Sequence, residues 1–140
     1  MVKRPNRSTA FVFVLSFILC GCARGVPITH EGITILRFGH LQARPQALVH
    51  GRVTFANTCA SVADNAGEPV TAIWPPDTQF DTSAADLGIV VQGVRFSLGD
   101  PISMGGGEYT DEAYVESLVG EIPDDCRGNR YWLVTDLAIT

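Results

Sequence analysis

The stretch GDPISMGGGE, residues 99–108, has the composition that most suggests ligand chemistry in this chain. Glycine runs let backbone amides approach a phosphate closely, as in nucleotide-binding loops. Those loops need a lysine after the glycines, and Lys3 is the only lysine of the chain. The dinucleotide-binding pattern needs a third glycine where this sequence has Thr110, and Glu108 would lie beside the phosphate. We therefore predict a turn at Gly99 and a strand, PISM, that ends in glycines which bend the sheet.

Serine and histidine, a common nucleophile and its general base, occur here without a recognisable motif. Ser103 lies in PISMG, which is not the Gly-x-Ser-x-Gly turn of a hydrolase. His30, His40 and His50 are spaced by ten residues, whereas paired zinc ligands lie about two to five residues apart. We interpret these histidines as solvated, and we predict no catalytic residue, no metal site and no cofactor.

Two pairs of adjacent acids have the charge that a cation site would need. Asp111 and Glu112 precede a helical pattern, where the helix dipole favours negative charge. Asp124 and Asp125 precede a cysteine and are interpreted as a solvated turn. A calcium site at the second pair is the alternative, although the spacing of a calcium-binding loop does not accompany it.

The amino terminus has the layout of a secretory signal peptide. Lys3, Arg4 and Arg7 form a basic start, and TAFVFVLSFIL at residues 9–19 is an apolar run. This run is shorter than the roughly 20 apolar residues of a membrane span. We therefore predict that residues 1–21 are a signal peptide and exclude them from the fold.

The sequence LCGC at residues 19–22 resembles the lipobox of bacterial lipoproteins. The resemblance implies that the peptidase cuts after Gly21 and that Cys22 is the lipid attachment site, which anchors the protein to the membrane. Ala23 follows where an aspartate would resemble an inner-membrane retention signal, so the outer membrane is expected if the cell has two membranes. An ordinary signal peptide with incidental cysteines is the alternative.

The remaining chain is long enough for one domain with a core. Residues 22–32 lack a periodic pattern and are predicted to form a lipidated tether, and residues 33–140 to form the domain. Ten Lys and Arg stand against fifteen Asp and Glu in the whole chain. Without the three basic residues of the signal peptide the net charge becomes −8. A nucleic acid would need a basic face, so we expect no nucleic-acid partner.

Residues 33–140 show mainly the period of two that is typical of β-strands. In ALVHGRVTFAN, Val49 and Val53 alternate with His50 and Arg52, which predicts a half-buried strand. The other apolar and aromatic runs are ITILRF, EPVTAIW, LGIVV, VRFSL and RYWLVTDLAI.

A single helix is predicted at about residues 111–119, with Ala113, Leu118 and Tyr114 on its inner face and Gly120 at its end. The predicted fold class is therefore mainly β: a small antiparallel barrel or sandwich of about five or six strands, OB-like, with one short helix.

Two tryptophans allow two interpretations. Aromatic rings on the open face of an OB-like barrel stack on sugars and bases, so Trp74 and Trp132 are weak candidates for ligand binding. Trp74 alternates in phase with Val70 and Ala72, and Trp132 with Val134, which favours the core.

Four segments together resemble a group of bacterial lipoproteins and secreted proteins with a small disulfide-closed β domain. They are GRVTFANTCASV, AIWPPDTQFD, LGDPISMGGGE and DDCRGNRYWLVTDL. The resemblance covers about residues 49 to 137 and implies the fold without implying an activity.

The cysteine count agrees with that resemblance. Cys20 leaves with the signal peptide and Cys22 takes the lipid, so Cys59 and Cys126 remain. In an oxidising compartment these two are expected to form a disulfide. Two buried free thiols are the alternative.

The expected function is that of a membrane-anchored extracytoplasmic lipoprotein of the cell envelope. The β domain would be a non-enzymatic binding or structural module whose partner is an envelope protein or a glycan. The alternative is a small secreted hydrolase or metal-dependent enzyme with a dispersed site.

Overall fold

The computed structural model of the protein describes residues 24–41, 43–55 and 58–138, which form a mainly β fold with one α-helix. The predicted signal peptide and Cys22 lie outside the described residues. In chain order the elements are β1 (Ile28–His30), β2 (Ile33–Arg37), β3 (Ala47–Thr54), β4 (Ser61–Ala63), β5 (Pro69–Trp74), β6 (Gln79–Asp81), β7 (Gly88–Val91), β8 (Val94–Ser97), β9 (Pro101–Tyr109), α1 (Glu112–Val119) and β10 (Tyr131–Leu137).

Five of these strands close into a barrel, as the sequence predicted. Its circular order is β3, β4, β5, β10, β9 and back to β3. The contact between β5 and β10 is parallel, and the other four are antiparallel. This order, with its single parallel contact, is that of an OB-type barrel. The three-stranded sheet of β6, β7 and β8 is inserted between the third and fourth barrel strands.

The barrel interior is filled by side chains from alternate strand positions. Val70, Ala72 and Trp74 of β5 point inwards, as their period of two predicted, and meet Trp132 and Val134 of β10. Most of these side chains have almost no exposed surface. The barrel is therefore a packed core that leaves its outer surface and its ends for binding.

The three-stranded sheet adds to this core. Ile89 and Val91 of β7 are fully buried and belong to the barrel cluster. β7 and β8 join through Gln92 and Gly93, whose φ angles are 49° and 80°. Two successive residues with positive φ form the two-residue turn that matches the twist of paired strands.

Helix α1 begins and ends at the predicted residues. The side chain of Asp111 accepts hydrogen bonds from the backbone N–H groups of Ala113 and Tyr114, which caps the first turn. Gly120, at φ 83°, ends the helix. No helix in the described ranges has the length and hydropathy that crossing a membrane requires.

The predicted inner face of this helix was wrong. Ala113 and Tyr114 are exposed, and Leu118 is half-buried. Val115 and Val119, which are four residues apart and lie on one side of the helix, are the buried residues, because this is the side that docks on the barrel. They pack in a second cluster, on the outer face of the barrel, together with Leu36, Ile73, Tyr131 and Leu133.

The structure places a strand in the segment predicted to be a tether. β1 pairs with β2 through a tight turn at Glu31 and Gly32, whose φ angles are 49° and 78°. Before it, the N–H of Gly25 donates to the carbonyl of Leu118 at 3.0 Å. Arg37 Nε donates to the carbonyl of Val26 at 2.8 Å. Residues 24–32 thus lie against the domain. Hydrogen bonds to their backbone groups hold them there, and such bonds leave no apolar pattern in the sequence.

The glycine run lies inside β9, which continues through it to Tyr109. Gly106 has a φ of 151°, and a Cβ at this position would lie 1.7 Å from the carbonyl oxygen of Leu133. A Cβ at Gly107 would lie 2.8 Å from the ring of Pro45. These glycines therefore allow close backbone contact within the sheet, while the register between β9 and β10 shifts between Val134 and Asp136.

Candidate ligand-binding groove

A polar groove of about 340 Å³ lies beside β4 and β5, and we call it the loop groove. One side is formed by these strands and the turn between them, the other by residues 125–130, which precede β10. Its lining residues are Ser61, Glu68, Pro69, Thr71, Asp125, Arg127, Gly128, Asn129 and Arg130.

The disulfide between Cys59 and Cys126 fixes this segment to the barrel. Its Cα atoms lie 5.2 Å apart, within the expected range, so the predicted pairing is confirmed. Cys59 precedes β4, and Cys126 ends a short 3-10 turn, Asp124–Cys126. Both cysteines are buried. The bridge therefore joins the start of β4 to the segment that forms the opposite side of the groove.

Three hydrogen bonds, two of them from Thr71, hold the same segment. Thr71 N donates to the carbonyl of Arg130 at 3.1 Å, and Thr71 Oγ1 donates to the carbonyl of Cys126 at 3.2 Å. Gly128 N donates to the hydroxyl of Tyr131 at 3.1 Å. The backbone of the groove is thus fixed before any ligand arrives.

Arg130 lies where the groove meets the end of the barrel. Its Nη1 donates to Asp64 Oδ2 at 2.9 Å, and its Nε donates to Glu108 Oε1. The hydrogen bond from Arg130 is the main reason that the pKa of Asp64 lies below its usual value. The pKa of Arg130 is raised, first by the bond to Glu108 and then by that to Asp64. The guanidinium is therefore a fixed positive charge.

Arg127 is fixed in a similar way from the other side. Its Nε donates to Asp124 Oδ1 at 3.2 Å, and its Nη1 pairs with Glu112 and Glu116 of α1. Among the described residues, no hydrogen bond involves Nη2 of Arg127 or of Arg130. Each guanidinium thus keeps donors for a ligand.

Two carboxylates line the groove outside these ion pairs. Glu68 is exposed, and its side chain makes no ion pair with a described residue. Asp125 Oδ2 accepts from Thr58 Oγ1 at 2.9 Å. The exposed amide of Asn129 adds a neutral donor and acceptor. The groove therefore carries charges of both signs at separate positions.

The tryptophans lie inside the barrel. Trp74 is fully buried, and its Nε1 donates to the carbonyl of Ala60 at 3.1 Å. Trp132 is 7% exposed, and its buried Nε1 has no hydrogen-bond partner among the described residues. Trp132 also lines a cavity of about 40 Å³ beneath Arg130. Neither ring presents an open face on which a sugar or base could stack.

The register of β3 and β9 brings together two side chains, His50 and Ser103, that the sequence analysis considered separately. His50 Nδ1 and Ser103 Oγ lie 2.6 Å apart on the outer surface of the sheet. Within the described ranges, no carboxylate hydrogen-bonds to this imidazole. The pair therefore lacks the group that orients a catalytic histidine.

The other sequence candidates lie apart. His30 is 3.7 Å from Glu31, a neighbour in its own turn, and stacks obliquely on Phe80. His40 is an exposed loop residue. In the described part of the chain, no three His, Cys, Asp or Glu side chains are grouped closely enough to hold a metal ion.

The fold and the groove define a disulfide-closed, OB-type β barrel with a polar surface site. Comparison of the chain with protein-family models, with curated proteins and with solved structures finds no match.

Proposed function

We propose that the protein is a lipid-anchored lipoprotein of the bacterial cell envelope and that its barrel is a non-enzymatic binding module. The signal peptide and the lipobox at Cys22 support the anchor. The loop groove supports the binding role, because it combines fixed charges with a rigid backbone. The partner would be an envelope protein, a peptide or a glycan.

The disulfide is the observation that carries this proposal. Structural disulfides persist in oxidising compartments and are rare in the bacterial cytoplasm. The pair Cys59 and Cys126 is buried and joins two loops of the barrel. An exported protein is the natural context for such a bridge.

The position of the groove agrees with a binding role. It lies on the face of the second and third barrel strands, β4 and β5, beside the loop between the fourth and fifth. OB-type barrels bind their ligands on this face and with these loops. This support is fold-level analogy, and it concerns the place of binding rather than the ligand.

Metabolic labelling with a fatty acid tests the anchor. We expect wild type to take up label and to fractionate with the outer membrane of a cell that has two membranes. The Cys22→Ala variant should lose the label, because its thiol carries the lipid. Cys20→Ala is the matched control and should stay labelled, because Cys20 leaves with the signal peptide. An unlabelled wild type, or a labelled Cys22→Ala, would contradict the proposal.

The second candidate is a hydrolase, and the His50–Ser103 contact is the observation that favours it. Reaction with a fluorophosphonate probe separates the two functions. A hydrolase would be labelled in a way that Ser103→Ala abolishes and that Ser83→Ala, a control with an exposed hydroxyl bound to Asp81, does not. The binding module is expected to stay unlabelled, because its histidine lacks an orienting acid.

A further inference from the structure

We propose that the loop groove binds a zwitterionic ligand of the amino-acid or short-peptide class. Arg127 and Arg130 would take the carboxylate, and Glu68 and Asp125 would take the ammonium group. This inference rests on the proposed function, since it names the ligand class of the groove described above.

The two arginines of the groove have the donors that recognise a carboxylate. Arg127 and Arg130 are each 38% exposed, and each is held in place by two or more acidic side chains. Their Nη2 groups remain for a ligand among the described contacts. A guanidinium is a planar fork of donors that matches a carboxylate. Because both are held in place, little side-chain entropy is lost on binding.

Two carboxylates of the groove are suited to an ammonium group. Glu68 and Asp125 line the same groove and make no ion pair with a described residue. The two lining arginines are already paired with five carboxylates: Glu112, Glu116 and Asp124 at Arg127, and Asp64 and Glu108 at Arg130. A ligand with negative charge alone would be repelled by this excess of carboxylates. A ligand that also carries an ammonium group offsets that repulsion.

The volume of the loop groove and the residues that line it narrow the ligand class further. A groove of about 340 Å³ lies in the lower part of the usual range for small-ligand sites, roughly 300 to 1,000 Å³. The residues that line it include no aromatic side chain. Bases and sugars are commonly held by stacking on aromatic rings, so the lining does not favour them. A small dipolar ligand fits a groove of this volume and does not need an aromatic ring on which to stack.

The test uses four probes added to the full mature protein in detergent micelles: dialanine, N-acetyl-dialanine, dialanine amide and N-acetylglucosamine. Nuclear magnetic resonance would follow the amides of Gly128 and Asn129, with those of Gly105 and Gly106 as remote controls. We expect dialanine at millimolar concentration to shift the first pair and to leave the second unchanged. Each capped peptide should bind at least tenfold more weakly, because one charge is lost.

Variants assign the two ends of the ligand. Glu68→Gln should weaken dialanine about tenfold and leave N-acetyl-dialanine unchanged. Arg127→Gln should weaken both dialanine and N-acetyl-dialanine, and leave dialanine amide unchanged. Glu31→Gln and Arg44→Gln, exposed residues outside the groove lining, are the matched controls and should change nothing.

Several outcomes would overturn the ligand class. They are equal affinity for capped and free peptides, stronger shifts with N-acetylglucosamine, or no shift of the groove amides with dialanine. If an envelope extract then shifts the groove amides, the ligand class fails and the binding function stands. If neither the extract nor any probe shifts them, the binding function fails as well, whatever the labelling of Cys22 shows.

Discussion

The glycine run of β9 and the segment at residues 124–130 hold their backbones in opposite ways. β9 pairs with β3 through residues 101–106 and with β10 through residues 104–109, so Gly105 and Gly106 have a partner strand on both sides. Its glycines leave room for the neighbouring backbone, and its ladder hydrogen bonds leave few groups for a ligand. Residues 124–130 are held mainly by side chains, through the disulfide, Thr71 and Tyr131.

The two ways of holding the backbone distinguish residues that shape the fold from residues that can bind a ligand. At Gly106 the absence of a side chain is what the structure requires. In the loop groove, part of each guanidinium group pairs with acidic side chains, and each arginine side chain remains partly exposed to solvent. A segment held by side chains can therefore present polar groups to a ligand, whereas in a β-sheet the backbone N–H and C=O groups are paired with the neighbouring strands.

Removing the disulfide should cause the largest loss of stability, and it should destabilise the groove more than the sheet. The Cys59→Ala/Cys126→Ala variant opens a loop that spans 67 residues, so we expect a loss of about 4 kcal/mol in the free energy of unfolding. Denaturant unfolding measures the loss, with reduced wild type as the control. Hydrogen exchange should rise more at Gly128 than at Gly106. Uniform exchange, or a loss below about 1 kcal/mol, would contradict the contrast between the two regions.

Gly106→Ala should cause the next largest loss of stability, and it should destabilise the sheet. The new Cβ would lie 1.7 Å from the carbonyl oxygen of Leu133, at a φ of 151°. We expect a loss of about 2 to 3 kcal/mol, because the strands must separate or strain. Thermal or denaturant unfolding measures it.

Gly105→Ala is the matched control for this substitution. A Cβ at Gly105 would meet its nearest neighbour, Thr135 Oγ1, at 3.7 Å, which is an ordinary contact. We expect a change within about 0.5 kcal/mol. If both alanine variants lost the same stability, space beside Gly106 would not be the reason for its glycine.

The long strands were predictable because their alternation is visible in the sequence itself. β3, β5 and β10 bury the side chains that their period of two indicated. β1, β4 and β6 are three residues long, and so short a strand depends on its neighbours rather than on its own pattern. The ends of α1 were predictable from Asp111 and Gly120, whereas its buried face depends on how it docks.

The groove was not predictable in the same way, because its parts come together only in the fold. Arg130 is 66 residues from Asp64 and 22 from Glu108. The same holds for His50 and Ser103, which are 53 residues apart. One signal was present: DDCRGNR holds two of the chain's arginines within four residues, next to a cysteine. The Cys59–Cys126 pairing, in contrast, followed from counting the cysteines.

The smallest expected effect concerns the ion pair between Asp64 and Arg130, where the groove and the barrel end meet. Hydrogen bonds, first that from Arg130, hold the pKa of Asp64 below 3.8, its value in an unfolded chain. The folded state therefore binds this proton less tightly than the unfolded state does. The resulting stability is fully present above about pH 4 and is lost as the pH falls through the folded pKa. Arg130 keeps its charge throughout, because its pKa is raised.

Asp64→Asn should therefore cost stability at neutral pH, and the difference from wild type should shrink as the pH falls below about 4. The effect should be modest, since the two side chains are 19% and 38% exposed to solvent. Urea midpoints measured across this range test it. Asp77→Asn is the control, because the side chain of Asp77 is exposed and makes no hydrogen bond or ion pair with a described residue that the substitution could remove. If the difference from wild type changed with pH no more for Asp64→Asn than for this control, the hydrogen bonds that lower the pKa of Asp64 would not contribute to stability.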